Sequence, residues 1–132
     1  MTEWSQVVPH LTGTAVAHLA TIDDDGAPHV VPVWVDLEGE DALTFFTLEG
    51  TRKDRNIARE PRVALSITAP DNAFDMATVQ GVVFERLEGD RAMEVVDRLS
   101  HTYTGGPYEQ RSGFVAFVVR PTTWWARDYS AD

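Results

Sequence analysis

The segment 49–60, EGTRKDRNIARE, gathers Arg52, Lys53, Arg55 and Arg59, with Arg62 just beyond, and Lys53 is the only lysine in the sequence. Thr47 and Thr51 set hydroxyls beside these charges. Together they have the means to bind an anion. A helix that starts after a strand presents N–H groups with no intrahelical partner, and its dipole favours negative charge at that end. Cations in the same first turn oppose the dipole. Arg52 and Lys53 therefore weaken their own helix unless an anion lies between them, and phosphate suits such a mixture of charged and hydroxyl donors. Arg52, Arg55 and Arg59 share a helical stripe along which a second anionic group would fit. The competing reading is a solvated helix face with Asp54 and Glu60 as counter-charges.

Composition limits the size of that anion. The chain has 132 residues, 21 acidic against 11 basic, and a formal net charge of -10. Such a charge repels nucleic acid and anionic membrane surfaces at long range, so neither is expected as a partner. The absence of cysteine excludes disulfides and thiolate metal sites and fits a cytoplasmic setting. No basic-then-apolar leader opens the sequence, and no apolar run is long enough to span a membrane. The four histidines lie far apart without ligand spacing, so no metal is expected. Asp23–Asp25 lack the rest of a calcium loop and read as a solvated turn.

The elements that must position the basic cluster are mostly strands. Residues 3–11 predict a short helix interrupted near Pro9. Residues 14–22 and 28–37 predict two strands joined by the Asp23–Gly26 turn, with Pro32 marking an edge or a bulge. Residues 42–48 form a third strand. Thr51 is the expected N-cap of the basic helix, and Pro61 stops it. Residues 62–69 are a fourth strand, 70–75 a loop, and 76–88 a long fifth strand bent at Gly81. Asp90 is the expected cap of a helix over 91–104, whose Ala92, Val96, Leu99 and Tyr103 share a face, and Gly105-Gly106-Pro107 ends it. Residues 113–120 and 122–127 complete the strands. Short antiparallel strands joined by tight turns favour one mainly β domain over 1–132, a barrel with two or three short helices.

The blocks HLATIDDDGAPHVVPVWVD and FFTLEGTRKDRNIAREPRVALSI resemble the split β-barrels related to pyridoxamine 5'-phosphate oxidase. They are most similar to the branch that uses the deazaflavin coenzyme F420, and LSHTYTGGPY resembles that branch in its last helix and following loop. The resemblance runs from about residue 13 to residue 125. It implies a split barrel of six to seven strands and a cytoplasmic homodimer with two coenzyme sites at the interface. By that likeness Thr47, Thr51, Arg52 and Lys53 hold the coenzyme phosphate, and Val31, Pro32 and Val33 lie against the ring. Gln80 reaches the coenzyme, Trp124 or Trp125 closes the pocket across the interface, and Arg55 with Arg59 suits a polyglutamate tail. Relatives often carry arginine in place of Gln80, and proline-tyrosine in place of Ala73-Phe74.

The implied activity is an F420-dependent oxidoreductase that transfers a hydride from reduced deazaflavin to a small conjugated organic substrate. The proton donor is unassigned among His29, Tyr103 and solvent. His29 alternatively serves only a turn, and His18 reads as an interior or interface group. Three alternatives stay open: an FMN-dependent oxidase of a pyridoxamine phosphate-like amine, a non-catalytic flavin or tetrapyrrole binder, and a purely structural dimerisation domain. The oxidase needs a second phosphate site, and Arg86, Arg91, Arg98, Arg111, Arg120 and Arg127 are scattered in sequence.

Overall fold

A computed structural model describes residues 2–131. Seven strands form one antiparallel sheet: β1 Ala17–Ile22, β2 Pro28–Val33, β3 Asp36–Glu38, β4 Ala42–Leu48, β5 Arg62–Ala69, β6 Asn72–Leu87 and β7 Phe114–Asp128. Their spatial order is β2-β1-β5-β6-β7-β4-β3. The outermost strands, β2 and β3, are consecutive in the chain and separated only by Trp34 and Val35. A sheet whose two edges are joined by so short a link must curl until they approach, and this makes the split barrel. Three helices cover it: α1 Trp4–Leu11, α2 Arg52–Arg59 and α3 Gly89–Thr104.

Alternation explains the core. Along β5, Val63, Leu65 and Ile67 are buried and their neighbours face outward. They meet Leu19, Leu43, Phe45, Val79 and Phe117 inside the barrel. The first half of β7, Phe114–Val119, is buried on both faces. Val115, Phe117 and Val119 line the barrel, while Phe114, Ala116 and Val118 pack under α3 with Val95, Val96 and Leu99. A strand covered on both sides must be apolar throughout, as FVAFVV is.

Several expected boundaries move. Pro9 lies inside α1 without interrupting it. The helix is short and is anchored through buried Val7, His10 and Leu11, so packing outweighs the lost bond. The strand expected over 28–37 breaks at Trp34-Val35 into β2 and β3, because that is where the chain crosses the barrel seam. The loop expected at 70–75 is a tight hairpin: Ala69 pairs with Asn72, and Asn72 Oδ1 accepts the Phe74 N–H at 3.0 Å. Glu88, not Asp90, is the N-cap of α3; Asp90 falls in the first turn, where it complements the dipole. The last two predicted strands are the single strand β7. Pro121 is tolerated within it because the pairing shifts there, Gln80 facing Thr123 and Gly81 facing Pro121. At that bulge a Cβ on Gly81 would lie 2.6 Å from the Arg120 carbonyl oxygen, so β6 makes its bend with the residue that lacks one.

Candidate functional site

A cavity of about 340 Å³ opens at the barrel seam, lined by Val16, Pro32, Val33, Trp34, Phe46, Thr47, Lys53 and Tyr108. Six segments build it, the first contributing Val16 just before β1. Strand β2 ends with Pro32 and Val33, and the seam supplies Trp34. Phe46 and Thr47 come from β4, Lys53 from the first turn of α2, and Tyr108 from the loop after α3.

The seam is fixed by Tyr103 on α3. Its hydroxyl lies 2.7 Å from the Ala15 carbonyl oxygen, 3.2 Å from that of Val35, and accepts the Val35 N–H at 3.2 Å. Burial raises the Tyr103 hydroxyl above the ordinary phenol range. The group expected as a possible proton donor thus serves as a backbone clamp. Trp34 stacks on the Tyr103 ring at 4.9 Å and 11°. Trp34, Phe46, Tyr108 and Phe114 meet edge to face at 5.3 to 6.2 Å. These contacts make a rigid aromatic wall. The Tyr108 segment is pinned in turn: Arg111 grips Asp97 with two bonds of 2.7 Å and donates to the Tyr108 carbonyl at 2.8 Å.

The opposite wall is α2. Gly50 takes φ 76, which turns the chain from β4 into the helix. Thr51 occupies the N-cap, but its side chain does not cap a helix N–H. Its hydroxyl donates to the Leu48 carbonyl at 2.9 Å, which leaves Thr47 to donate to Thr51 across 3.1 Å. Asp54 is buried and accepts from Gly50 N–H at 2.9 Å and from two Arg86 nitrogens at 3.1 and 3.0 Å. Burial works to raise the Asp54 carboxyl, but the Arg86 guanidinium and the Gly50 N–H outweigh it and hold it below the usual range.

The basic residues of α2 divide sharply. Arg52 is paired to Asp23 by bonds of 2.9 and 2.5 Å. Arg55 donates to the Gly50 carbonyl, and Arg59 to the Ile22 carbonyl and to Asn56 Oδ1. Lys53 alone points into the aromatic cavity. Among the described residues its ammonium has no hydrogen-bond or ion-pair partner, and every arginine has one or lies over a ring. Desolvation lowers the Lys53 ammonium below its ordinary value, the mark of a cation held in partly apolar surroundings without an anion.

Of the residues singled out in the sequence, Pro32, Val33, Thr47 and Lys53 share this cavity, with Thr51 one hydrogen bond away. Val31 packs toward the barrel core instead. Gln80 lies elsewhere, on the outer sheet face, with its Oε1 accepting from the Thr123 hydroxyl at 2.7 Å. There it borders a second depression, of about 500 Å³, with His18, Val30, Trp124 and Trp125. His18 is exposed, not interior. Sequence reasoning missed Trp34, Phe46 and Tyr108. Trp34 sits one residue past the Val31-Pro32-Val33 stretch, and an aromatic residue at the end of an edge strand is a signal that could have found it.

The family model for pyridoxamine 5'-phosphate oxidase matches residues 5–128. Among solved structures, one described as an F420 reductase is 32% identical, with 89% of this chain and 94% of that chain covered and a TM-score of 0.78. The conserved hypothetical protein Rv2991 from Mycobacterium tuberculosis is 21% identical, with coverage of 97% and 86% and a TM-score of 0.80. HupZ of Group A Streptococcus shares the fold at 13% identity, with coverage of 98% and 96% and a TM-score of 0.70. No curated protein sequence matches. The chain belongs to the pyridoxamine 5'-phosphate oxidase family, with an F420 reductase among its relatives.

Proposed function

From that membership we propose that the chain is an F420-dependent oxidoreductase, with the coenzyme seated between two copies and its phosphate at Lys53. The observation that carries this reading is the unpartnered Lys53 ammonium set into a cavity with a rigid aromatic wall. An aromatic coenzyme bearing a phosphate satisfies both features at once.

Size supports a shared site. A cavity of about 340 Å³ is at the small end for a cofactor site. One protomer thus offers the phosphate end and one ring wall, and a second copy must cover the rest. The outer face of β2, β1, β5, β6 and β7 supplies the covering surface. Val30, Trp124 and Trp125 are exposed there, and Gln80 stands among them. Packed against a partner, Gln80 and a tryptophan reach the neighbour's coenzyme.

Reduced F420, when bound, supplies a hydride to an unsaturated organic substrate. The chain's own part is positional. Lys53 anchors one end by charge, with Thr47 and Thr51 able to reorient their hydroxyls toward the phosphate. Pro32, Val33 and Trp34 fix the ring plane and exclude water. Tyr103 holds the seam that carries them. Titrating the purified chain with F420 and FMN in parallel, read by tryptophan fluorescence, tests the reading. Saturable binding with preference for F420 is expected. Preference for FMN overturns the coenzyme assignment, and binding of neither overturns the enzyme reading.

A further inference from the structure

We propose that the phosphate subsite is built for a singly charged phosphodiester and turns away a doubly charged phosphomonoester, because Asp23 withdraws the arginine that would give the site a second cation. The inference rests on the reading that a phosphorylated coenzyme occupies the Lys53 cavity.

Arg52 and Lys53 are adjacent at the start of α2, so a site using both would carry two positive charges. The structure gives only one. Both oxygens of Asp23 engage Arg52, at 2.9 and 2.5 Å. Asp23 also accepts from Asn56 at 2.9 Å, and buried Asn56 donates to Thr21 at 3.0 Å. The carboxylate is therefore held by two side chains of α2, one of them tied in turn to β1 through Thr21, and its pKa is driven far below the ordinary range, chiefly by Arg52. Arg52 cannot turn to a ligand without leaving Asp23 short of its counter-charge. The other charges around the subsite do not add a free cation. Asp24 and Asp25 continue the acidic turn, Arg55 and Arg59 are bound to backbone carbonyls, and Asp54 is matched by Arg86.

A phosphate linked through two esters carries one negative charge, as in F420, and Lys53 neutralises it. A terminal monoester such as that of FMN carries about -1.5 to -2 at neutral pH. Its extra charge would find no second free cation at the subsite, in a protein of net charge -10.

The test uses ligands with one ring and three tails: 8-hydroxy-5-deazariboflavin, its 5'-phosphate, and the methyl ester of that phosphate. Each is titrated at pH 7.5 and 5.5 against the full chain, its Asp23→Asn variant and its Arg52→Gln variant. The methyl phosphodiester is expected to bind about tenfold tighter than the monoester at pH 7.5. The gap should shrink at pH 5.5, below the second phosphate pKa near ~6. The diester keeps its charge over this range and so controls for titration of the protein, His29 included. Asp23→Asn, which frees Arg52, should narrow the gap at pH 7.5. Arg52→Gln should leave diester affinity within about threefold, since its partner is Asp23 and not the ligand. A monoester that binds as tightly as the diester at pH 7.5 overturns the proposal while leaving the coenzyme reading intact. So does a gap insensitive to both pH and Asp23→Asn. If the unphosphorylated ring binds as tightly as both phosphorylated forms, or if none binds, the coenzyme reading fails and takes this inference with it.

Discussion

The barrel seam and the outer sheet face both present apolar and aromatic side chains around a depression, but they differ in charge. At the seam, Trp34, Phe46 and Tyr108 are locked against one another, and one ammonium without a counter-ion stands among them. On the outer face, Val30, Trp124 and Trp125 surround the polar side chains of His18, Ser66, Thr78, Gln80 and Thr123, with no lysine, arginine or carboxylate among them. The first arrangement suits a planar ligand that carries an anionic group. The second is an apolar patch with polar spots, the pattern of a surface that another protein surface covers. On the proposed function, the contrast separates the seat of the coenzyme from the face where two copies meet.

The largest expected effect breaks the second region. Trp125→Glu places a charge on the proposed dimer face and should convert the dimer to monomer, weakening association at least about a hundredfold. Sedimentation velocity across a concentration series checks this. A variant that stays dimeric would mean that this face is not the interface.

Lys53→Met is aimed at the first region. Loss of a charge-assisted contact should weaken coenzyme binding by roughly 1.5–3 kcal/mol while barely moving the melting temperature, because Lys53 has no partner inside the fold. Asp54→Ala should do the converse. It leaves the Gly50 N–H unpaired and Arg86 with Glu88 as its remaining counter-charge, and should cost about 2–3 kcal/mol of stability in urea denaturation. The folded Asp54 carboxyl lies below its ordinary value of 3.8. Its contribution is therefore fully present above about pH 5 and is lost as pH falls through 3.8 toward the lower folded value. The variant should be less acid-sensitive than the parent over that window.

Gly81→Ala probes the bend that orients Gln80. The added Cβ meets backbone at 2.6 Å and should cost roughly 1–3 kcal/mol. Tyr103→Phe should have the smallest effect, about 1 kcal/mol from the lost seam hydrogen bonds. If Tyr103 is only a clamp, the pH profile of coenzyme oxidation stays unchanged, and a shifted profile would reinstate it as a proton donor.

Strands β4 and β5 and helix α2 were legible because local chemistry decides them: alternating apolar residues, a glycine turn, a threonine at the helix start and a stopping proline. The break at Trp34-Val35 was not legible. The stretch PHVVPVWVDL is uniformly strand-like, and only closure of the sheet requires the chain to cross there. Fusion of the last two strands was hidden for a related reason. Pro121 argues against a continuous strand until the facing bulge at Gly81 accommodates it. At the site, the helix start after a strand pointed to Thr47, Thr51 and Lys53 as a local feature, whereas Pro32 and Val33 came only from the resemblance to the family. It did not reveal that Arg52 is bound by Asp23 or that Trp34 forms the wall. Both depend on pairings between segments far apart in the chain.

The central claim is that Lys53 grips the phosphate of a redox coenzyme at the seam. Isothermal calorimetry of F420 binding to the parent chain and to Lys53→Met tests it most directly. Saturable binding to the parent is expected, weakened at least about tenfold in the variant, with both proteins equally folded. Equal affinity for the two proteins would contradict it.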